Sequence, residues 1–416
     1  MSDNMNIPQL RFGGFDGEWE DKKYGEIYSF YTTNSLSREK LNYDNGEVKN
    51  IHYGDIHTKF STMFDLENEN VPFINSDFDL TRIKEESYCQ DGDLVVADAS
   101  EDYADVGKTI EIINLNNQKV LAGLHTFLAR PNKYDMALGY AGYLLQSWKV
   151  RWQVMIISQG TKVLSLSTGR LSNIILTIPS KKEQKKIATF LTAIDTKIDQ
   201  LTKKEKLLQE YKKGMMQKIF SQEIRFKDDD ENEFPEWGEK YGNDVFESIS
   251  NKDHNSDLPI LAVTQEFGAI PRDLIDYKMS ATKKSISSYK IVEVGDFIIS
   301  LRSFQGGIEY SNYKGICSPA YIILKPSIEI SEIFFKYYLK TYNYIQELNK
   351  KLEGIRDGKM ISYKYFSEIK LPFPSLQEQT KIANFFLSIE SKIGQTQKQL
   401  DLTKEFKKAL LQQMFV

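Results

Sequence analysis

Cysteine is nearly absent: Cys89 and Cys317 are the only two in 416 residues. Two cannot build a disulfide framework, nor by themselves a metal site. Histidine is also scarce, and His52, His57, His125 and His254 show no metal-ligand spacing such as H-E-x-x-H. No apolar run approaches the ~20 residues of a membrane span, and the opening MSDNMNIPQLRF has no basic-then-apolar signal pattern. These absences predict a protein of the reducing cytoplasm. Dinucleotide chemistry is equally unsupported, because no G-x-G-x-x-G occurs. The VGKT of 106–109 has Asp102 where a phosphate loop needs glycine, so we read it as accidental. In PRDLIDYK, Asp273, Asp276 and Lys278 crowd too closely for the usual strand pair of a D-x-K metal site. The sequence predicts no catalysis, metal or cofactor of its own.

What the chain does have is unevenly placed charge. The total is −4, yet residues 1–178 carry −8, 179–220 carry +6, 221–373 carry −4 and 374–416 carry +2. Acidic bodies alternate with basic tails, which are either solvated helix faces or patches for a polyanion. Length alone suggests two or three domains.

The basic tails repeat. PSKKEQKKIATF at 179–190 returns as PSLQEQTKIANF at 374–385, and the segments 178–220 and 373–415 share 19 of 43 residues without a gap. Each opens with a proline, suited to a helix start, then Ser180 or Ser375 as N-cap with Glu183 or Glu378 three residues on. Ile187, Ile194, Leu201, Leu208 and Met215 recur every seven residues, as do Phe386, Ile393, Leu400 and Met414 in the second copy. Glu205 and Lys212 interrupt one seam; Thr396, Thr403 and Lys407 interrupt the other. So narrow a stripe needs a partner helix, and the nearest is the other copy. We therefore expect two helices of about 37 residues, ~55 Å long, packed antiparallel as a rod with a body at either end.

The bodies echo each other more faintly. RFGGFDGEW at 11–19 answers RFKDDDENEFPEW at 225–237, DGDLVVAD at 91–98 answers VGDFIISL at 294–301, and LAGLHTFLARP at 121–131 answers YKGICSPAYIILKP at 313–326. GTKVLSLSTGRLSNIILTIP at 160–179 answers DGKMISYKYFSEIKLPFP at 357–374. The unit is one domain plus one helix, used twice, with SEIFFKYYLKTYNYIQEL read as peripheral helix.

In that order these features resemble the specificity subunit of type I restriction-modification systems. The family's P…EQ.KIA.F start is matched by Pro179, Glu183, Gln184, Ile187, Ala188 and Phe190, and by Pro374, Glu378, Gln379, Ile382, Ala383 and Phe385. Its F.GEW opening is matched by Phe15, Gly17, Glu18 and Trp19; the second copy, Phe234, Pro235, Glu236 and Trp237, departs by one proline. The resemblance implies an α+β fold: two mixed α/β target-recognition domains (1–178 and 221–373), each followed by a repeated helix (179–220 and 374–416), the helices forming an antiparallel coiled coil. It implies a non-catalytic reader of a bipartite, asymmetric DNA target. Its partners would be two adenine-N6 methyltransferase subunits and the ATP-dependent restriction subunits, with S-adenosylmethionine, ATP and Mg held by those partners. Repetition marks the constant task, so Glu183, Gln184, Ile187, Phe190, Glu378, Gln379, Ile382 and Phe385 are expected to bind partners. The Asn-Pro-Pro-aromatic motif of adenine methyltransferases is absent. A tandem-domain coiled-coil adaptor is the competing reading, and a self-contained endonuclease a third that lacks its carboxylate cluster.

Arg, Lys, Asn, Gln and short polar side chains read base edges, whereas Lys, Arg and backbone amides hold phosphates. In the second domain Arg302, Ser303 and Gln305 precede a Gly-Gly turn in SLRSFQGGIEYS, with Gln265 and Arg272 flanking EFGAI. Arg356 and Lys359, between Gly354 and Gly358, suit a phosphate-facing loop, matched by Lys162 in the first domain. There, base contacts are expected from His52, Tyr53, His57, Thr58, Lys59 and Asp98, the last able to accept from cytosine N4.

Overall fold

In the computed structural model, residues 6–132, 136–255, 257–275, 286–350 and 361–416 are described. The chain divides into two compact units, Met1–Thr202 with Lys398–Val416, and Lys203–Gln397.

Both units are built on one strand plan. In the first, Tyr28–Tyr31, Thr126–Pro131, Leu94–Ala97, Thr109–Asn114 and Met63–Asp65 lie side by side in that order, antiparallel except for the last, parallel pair. In the second, Phe246–Ile249, Ile322–Pro326, Phe297–Ile299 and Glu309–Tyr310 repeat the order, all antiparallel. A two-stranded ribbon also recurs: Glu20–Lys23 pairs with Ile175–Ile178, and Gly238–Tyr241 with Lys370–Phe373. Each ribbon leads straight into a long helix, Lys181–Phe220 in the first case and Leu376–Gln413 in the second. The turn into the central strand is duplicated to the atom: the Asp93 carboxylate accepts from Gln90 N, and that of Asp296 from Glu293 N. The glycines before them, Gly92 and Gly295, have φ of +92° and +98°, a region that other residues enter at a cost.

Within the first unit the helices run antiparallel. Leu10 N donates to Gln413 O while Arg11 binds Glu183, and Lys407 meets Asp195 at 2.6 Å. Within the second, Phe220 stacks on Phe386 at 5.9 Å and Lys212 meets Glu390 at 2.6 Å, again in opposed directions. The seam is what the seven-residue spacing predicts, with Ile187, Leu191, Ile194 and Leu201 buried in one helix and Ile382, Phe386, Ile389 and Leu400 in the other. The two lysines that interrupt it are charge pairs: Lys407 also lies over the Tyr143 ring, and Lys212 over that of Tyr337.

The Glu-Gln motif turns inward. Glu183 and Gln184 are each 1% exposed, and Glu378 and Gln379 0%. Arg11 grips both Glu183 oxygens at 2.7 and 2.8 Å and donates to Gly17 O and Asp16 O. Arg225 does the same to Glu378, with Pro235 O and Phe234 O as its other acceptors. Gln184 Oε1 accepts from Ala137 N while Nε2 donates to Pro179 O; Gln379 bridges Ser331 N and Pro374 O identically. Phe12 packs on Phe190 at 5.4 Å, and Phe226 on Phe385 at 5.3 Å. The expectation that Glu183, Gln184, Ile187, Glu378, Gln379 and Ile382 face partners is therefore corrected, since all six are buried against their own chain. The motif is a clasp seating each domain on its helix.

A second correction concerns 331–348. It breaks into Glu332–Tyr338 and Tyr342–Asn349, N-capped by Ser331 and Thr341, and it is not peripheral. Phe334, Phe335 and Tyr344 are at most 1% exposed and lie in the core of the second unit.

In the first unit, Glu111 is 2% exposed and its carboxylate accepts from Gly139 N and Gly142 N, both at 2.7 Å. Burial raises its pKa from 4.5 to about 7, against the pull of those amides. The folded carboxyl thus holds its proton more tightly than the unfolded one. Its contribution to stability is complete below pH ~4.5 and is lost as pH rises through ~7. Between pH 5 and 8 wild type should lose about 3 kcal/mol more stability in urea than Glu111→Gln, whose side chain does not titrate.

Candidate nucleic-acid interface

In the second unit two turns meet. The hairpin of Leu261–Thr264 and Gly268–Pro271 places Gln265 at its tip, where Nε2 donates to Arg302 O at 3.4 Å. A Cβ on Gly306 would sit 2.7 Å from the Gln265 side chain, so glycine is what permits the approach. Arg302, Gln305 and Gln265 are all exposed, beside Phe267 at 51% and Leu301 at 47%. The cluster offers an arginine able to donate twice to guanine and glutamines able to donate to and accept from adenine, next to an aromatic face. Ser303 does not belong to it: the residue is 1% exposed and its Oγ accepts from Ser300 N at 2.8 Å. Arg272 follows the far end of the same hairpin, opposite Ile260 and ~17 Å of strand away from Gln265. Arg356 and Lys359, with the D-x-K pair Asp276 and Lys278, lie outside the described residues.

The first unit builds a different surface at the end of its matching strand. His52 N-caps the helix Tyr53–Thr58, its Nδ1 accepting from Gly54 N at 3.1 Å. It is 6% exposed, which corrects the expectation of a base contact. Burial, then the nearby Arg38 charge, holds its pKa below the usual imidazole value. Tyr53 lies between His52 at 4.7 Å and His125 at 5.2 Å, with His57 at 6.1 Å. His57 is half-buried, its Nε2 3.0 Å from Ala99 O. Asp98, also half-buried, stands 3.2 Å from His125 Nδ1; burial raises its carboxyl and the histidine opposes this. Thr58 and Lys59 are exposed. Lys59 reaches Tyr43 Oη at 3.0 Å and the buried Asp55 at 2.9 Å, and Arg38 binds the same carboxylate. Burial works to raise Asp55, but hydrogen bonds from Arg38 and Lys59 outweigh it and hold the carboxyl below its usual range.

Two predicted positions come together here. Leu164–Ser165 pairs with Ala99–Ser100, which sets the turn bearing exposed Lys162 beside the Asp98 loop. That turn depends on Gly160, where a Cβ would fall 1.9 Å from Val163 O. Arg38, Tyr43, His125 and Phe267 escaped the sequence reading, although His125 stands in the quoted LAGLHTF. Among the described residues no group of acidic, histidine and cysteine side chains could hold a metal ion, and no helix is long and apolar enough to cross a membrane.

Comparison with known proteins agrees with this duplicated plan. The model of the type I restriction modification DNA specificity domain matches twice, over 16–210 and 235–404. The type I restriction enzyme MjaX specificity subunit of Methanocaldococcus jannaschii is 25% identical, over 98% of this chain and 95% of its own. The MjaVIII specificity subunit of the same organism is 26% identical over 72% and 74%. Among solved structures, the S subunit of a type I system from M. genitalium superposes with a TM-score of 0.59 at 15% identity, covering 99% of both chains. A chain from a study of type I R-M complex assembly and conformational transition gives 0.54 at 17%, covering 94% of this chain and 96% of its own. Two matched domains, two matched helices and relatives of nearly equal length lead to one conclusion: this chain belongs to the type I restriction-modification DNA specificity family.

Proposed function

We propose that the chain is the non-catalytic sequence reader of a cytoplasmic type I restriction-modification enzyme. Domains 1–178 and 221–373 would each read one half of a bipartite, asymmetric DNA target, and the helices 179–220 and 374–416 would tie them together. Two adenine-N6 methyltransferase subunits using S-adenosylmethionine, and restriction subunits driven by ATP, would supply the chemistry. The observation that carries this reading is the contrast at matched strand ends. One scaffold presents Tyr53, Asp98 and His125 in the first unit, and Gln265, Arg302 and Gln305 in the second. A duplicated frame with unlike loops suits a reader of two unlike half-sites.

Methylome sequencing of cells with and without the chain tests the reading. N6-methyladenine should appear at one two-part motif and vanish on deletion; an adaptor that binds only proteins would leave no motif. Arg302→Ala should weaken discrimination at one half by about 1–3 kcal/mol, or ~5–150-fold. Competition binding with duplexes altered in either half measures it, and equal loss in both halves would remove Arg302 from the reading role.

A further inference from the structure

With the clasp motif buried, a partner bound twice needs repeated surface outside it, and the long helices are not the only such surface among the described residues. Helix Trp148–Ile157 follows Ser147, and helix Tyr342–Asn349 follows Thr341, at the same place in each unit's topology. Val150 and Val154 anchor the first helix in its core, and Tyr344 and Leu348, each 194 residues later, anchor the second. The outward position is aromatic in both: Trp148 is 61% exposed and Tyr342, again 194 residues on, 73%. On the first helix the stripe continues through Trp152 and Ile156, at 52% and 64%, and the two indoles wall a groove with Asp21, Lys149, Gln153 and Ile175.

We infer that Trp148 and Tyr342 are equivalent anchor points for two copies of one protein, the methyltransferase subunit. The inference rests on the functional reading above. The size of the patch favours this occupant. Two indoles and an isoleucine expose on the order of 400 Å², about half of the ~800 Å² each side gives to a stable interface. A second copy of this chain could not be held by so little, whereas a subunit already gripped elsewhere could use it as a hot spot. DNA is a poor fit, because the stripe offers ring faces and the groove's Lys149 is offset by Asp21, where phosphates would need a surplus of cations. Glutamine and lysine replace the stripe's later members in the second unit, at Gln346 and Lys350, so its anchor should be the weaker.

Native mass spectrometry and calorimetry with the purified methyltransferase subunit test this. The wild-type chain should take up two copies. Trp148→Ala should weaken one by about 30-fold, Tyr342→Ala should weaken the other by less, and Trp148→Phe should recover part of the loss. Melting temperature and DNA affinity of the chain alone should not change. The inference is overturned if both variants bind two copies with unaltered affinity, or if they lose DNA while keeping the methyltransferase. It is equally overturned if wild type proves to be a dimer that Trp148→Ala dissolves. Failure of wild type to bind any methyltransferase would instead sink the functional reading itself.

Discussion

Arg225→Ala is expected to destabilise the second unit by about 3–5 kcal/mol, far more than an exposed arginine would. The Glu378 side chain is 1% exposed, and the Arg225 guanidinium neutralises it at 3.0 Å. Truncation strands a carboxylate where water cannot follow, and it frees the carbonyls of Phe234 and Pro235. Adding Glu378→Gln should return part of the loss, since a neutral amide suffers less from burial. Arg11→Ala should injure the first unit likewise, through Glu183. Urea unfolding checks both, and a cost below 1 kcal/mol would mean that the clasp is ornamental.

Phe386→Ala should cost the second unit about 3–5 kcal/mol by opening a cavity. The ring is 0% exposed and meets Tyr337 at 4.7 Å, Phe385 at 5.4 Å and Phe220 at 5.9 Å. These neighbours belong to three different helices, so one side chain ties the end of the first long helix to the start of the second. Leu191 fills the corresponding place in the first copy and is also 0% exposed. Phe386→Leu, borrowing that solution, should cost less than half as much. Thermal unfolding and hydrogen exchange across Leu376–Gln413 provide the measurement.

The helices were legible because periodicity reports burial directly, and the strand runs because short apolar stretches end in Gly-Asp turns. The role of the Glu-Gln motif was not. A repeated polar pair reads equally well as docking surface or clasp until its partners are known, and Arg11 lies 172 residues from Glu183. A clue existed in the Arg-Phe opening shared by both EW segments, whose arginine meets the glutamate and whose phenylalanine meets Phe190 or Phe385. Among the residues proposed to read bases, Arg302 with Gln305 could be inferred from one loop. Gln265 joins them only through a hairpin, a juxtaposition that local sequence does not encode. His52 and Ser303 were misjudged for the same reason: a polar side chain next to a turn is as readily a cap as a contact.

The charges at the crossings have one more implication. Asp195 and Glu390 occupy the same place in the two repeats, as do Lys212 and Lys407, yet each acid pairs with the other repeat's lysine. Laid side by side in the same direction, the helices would set acid against acid and lysine against lysine. The code is thus self-complementary, and a gene conversion that overwrote one helix with its sister would still leave both crossings neutral. Point drift at either site has no such protection and needs a matching change some two hundred codons away.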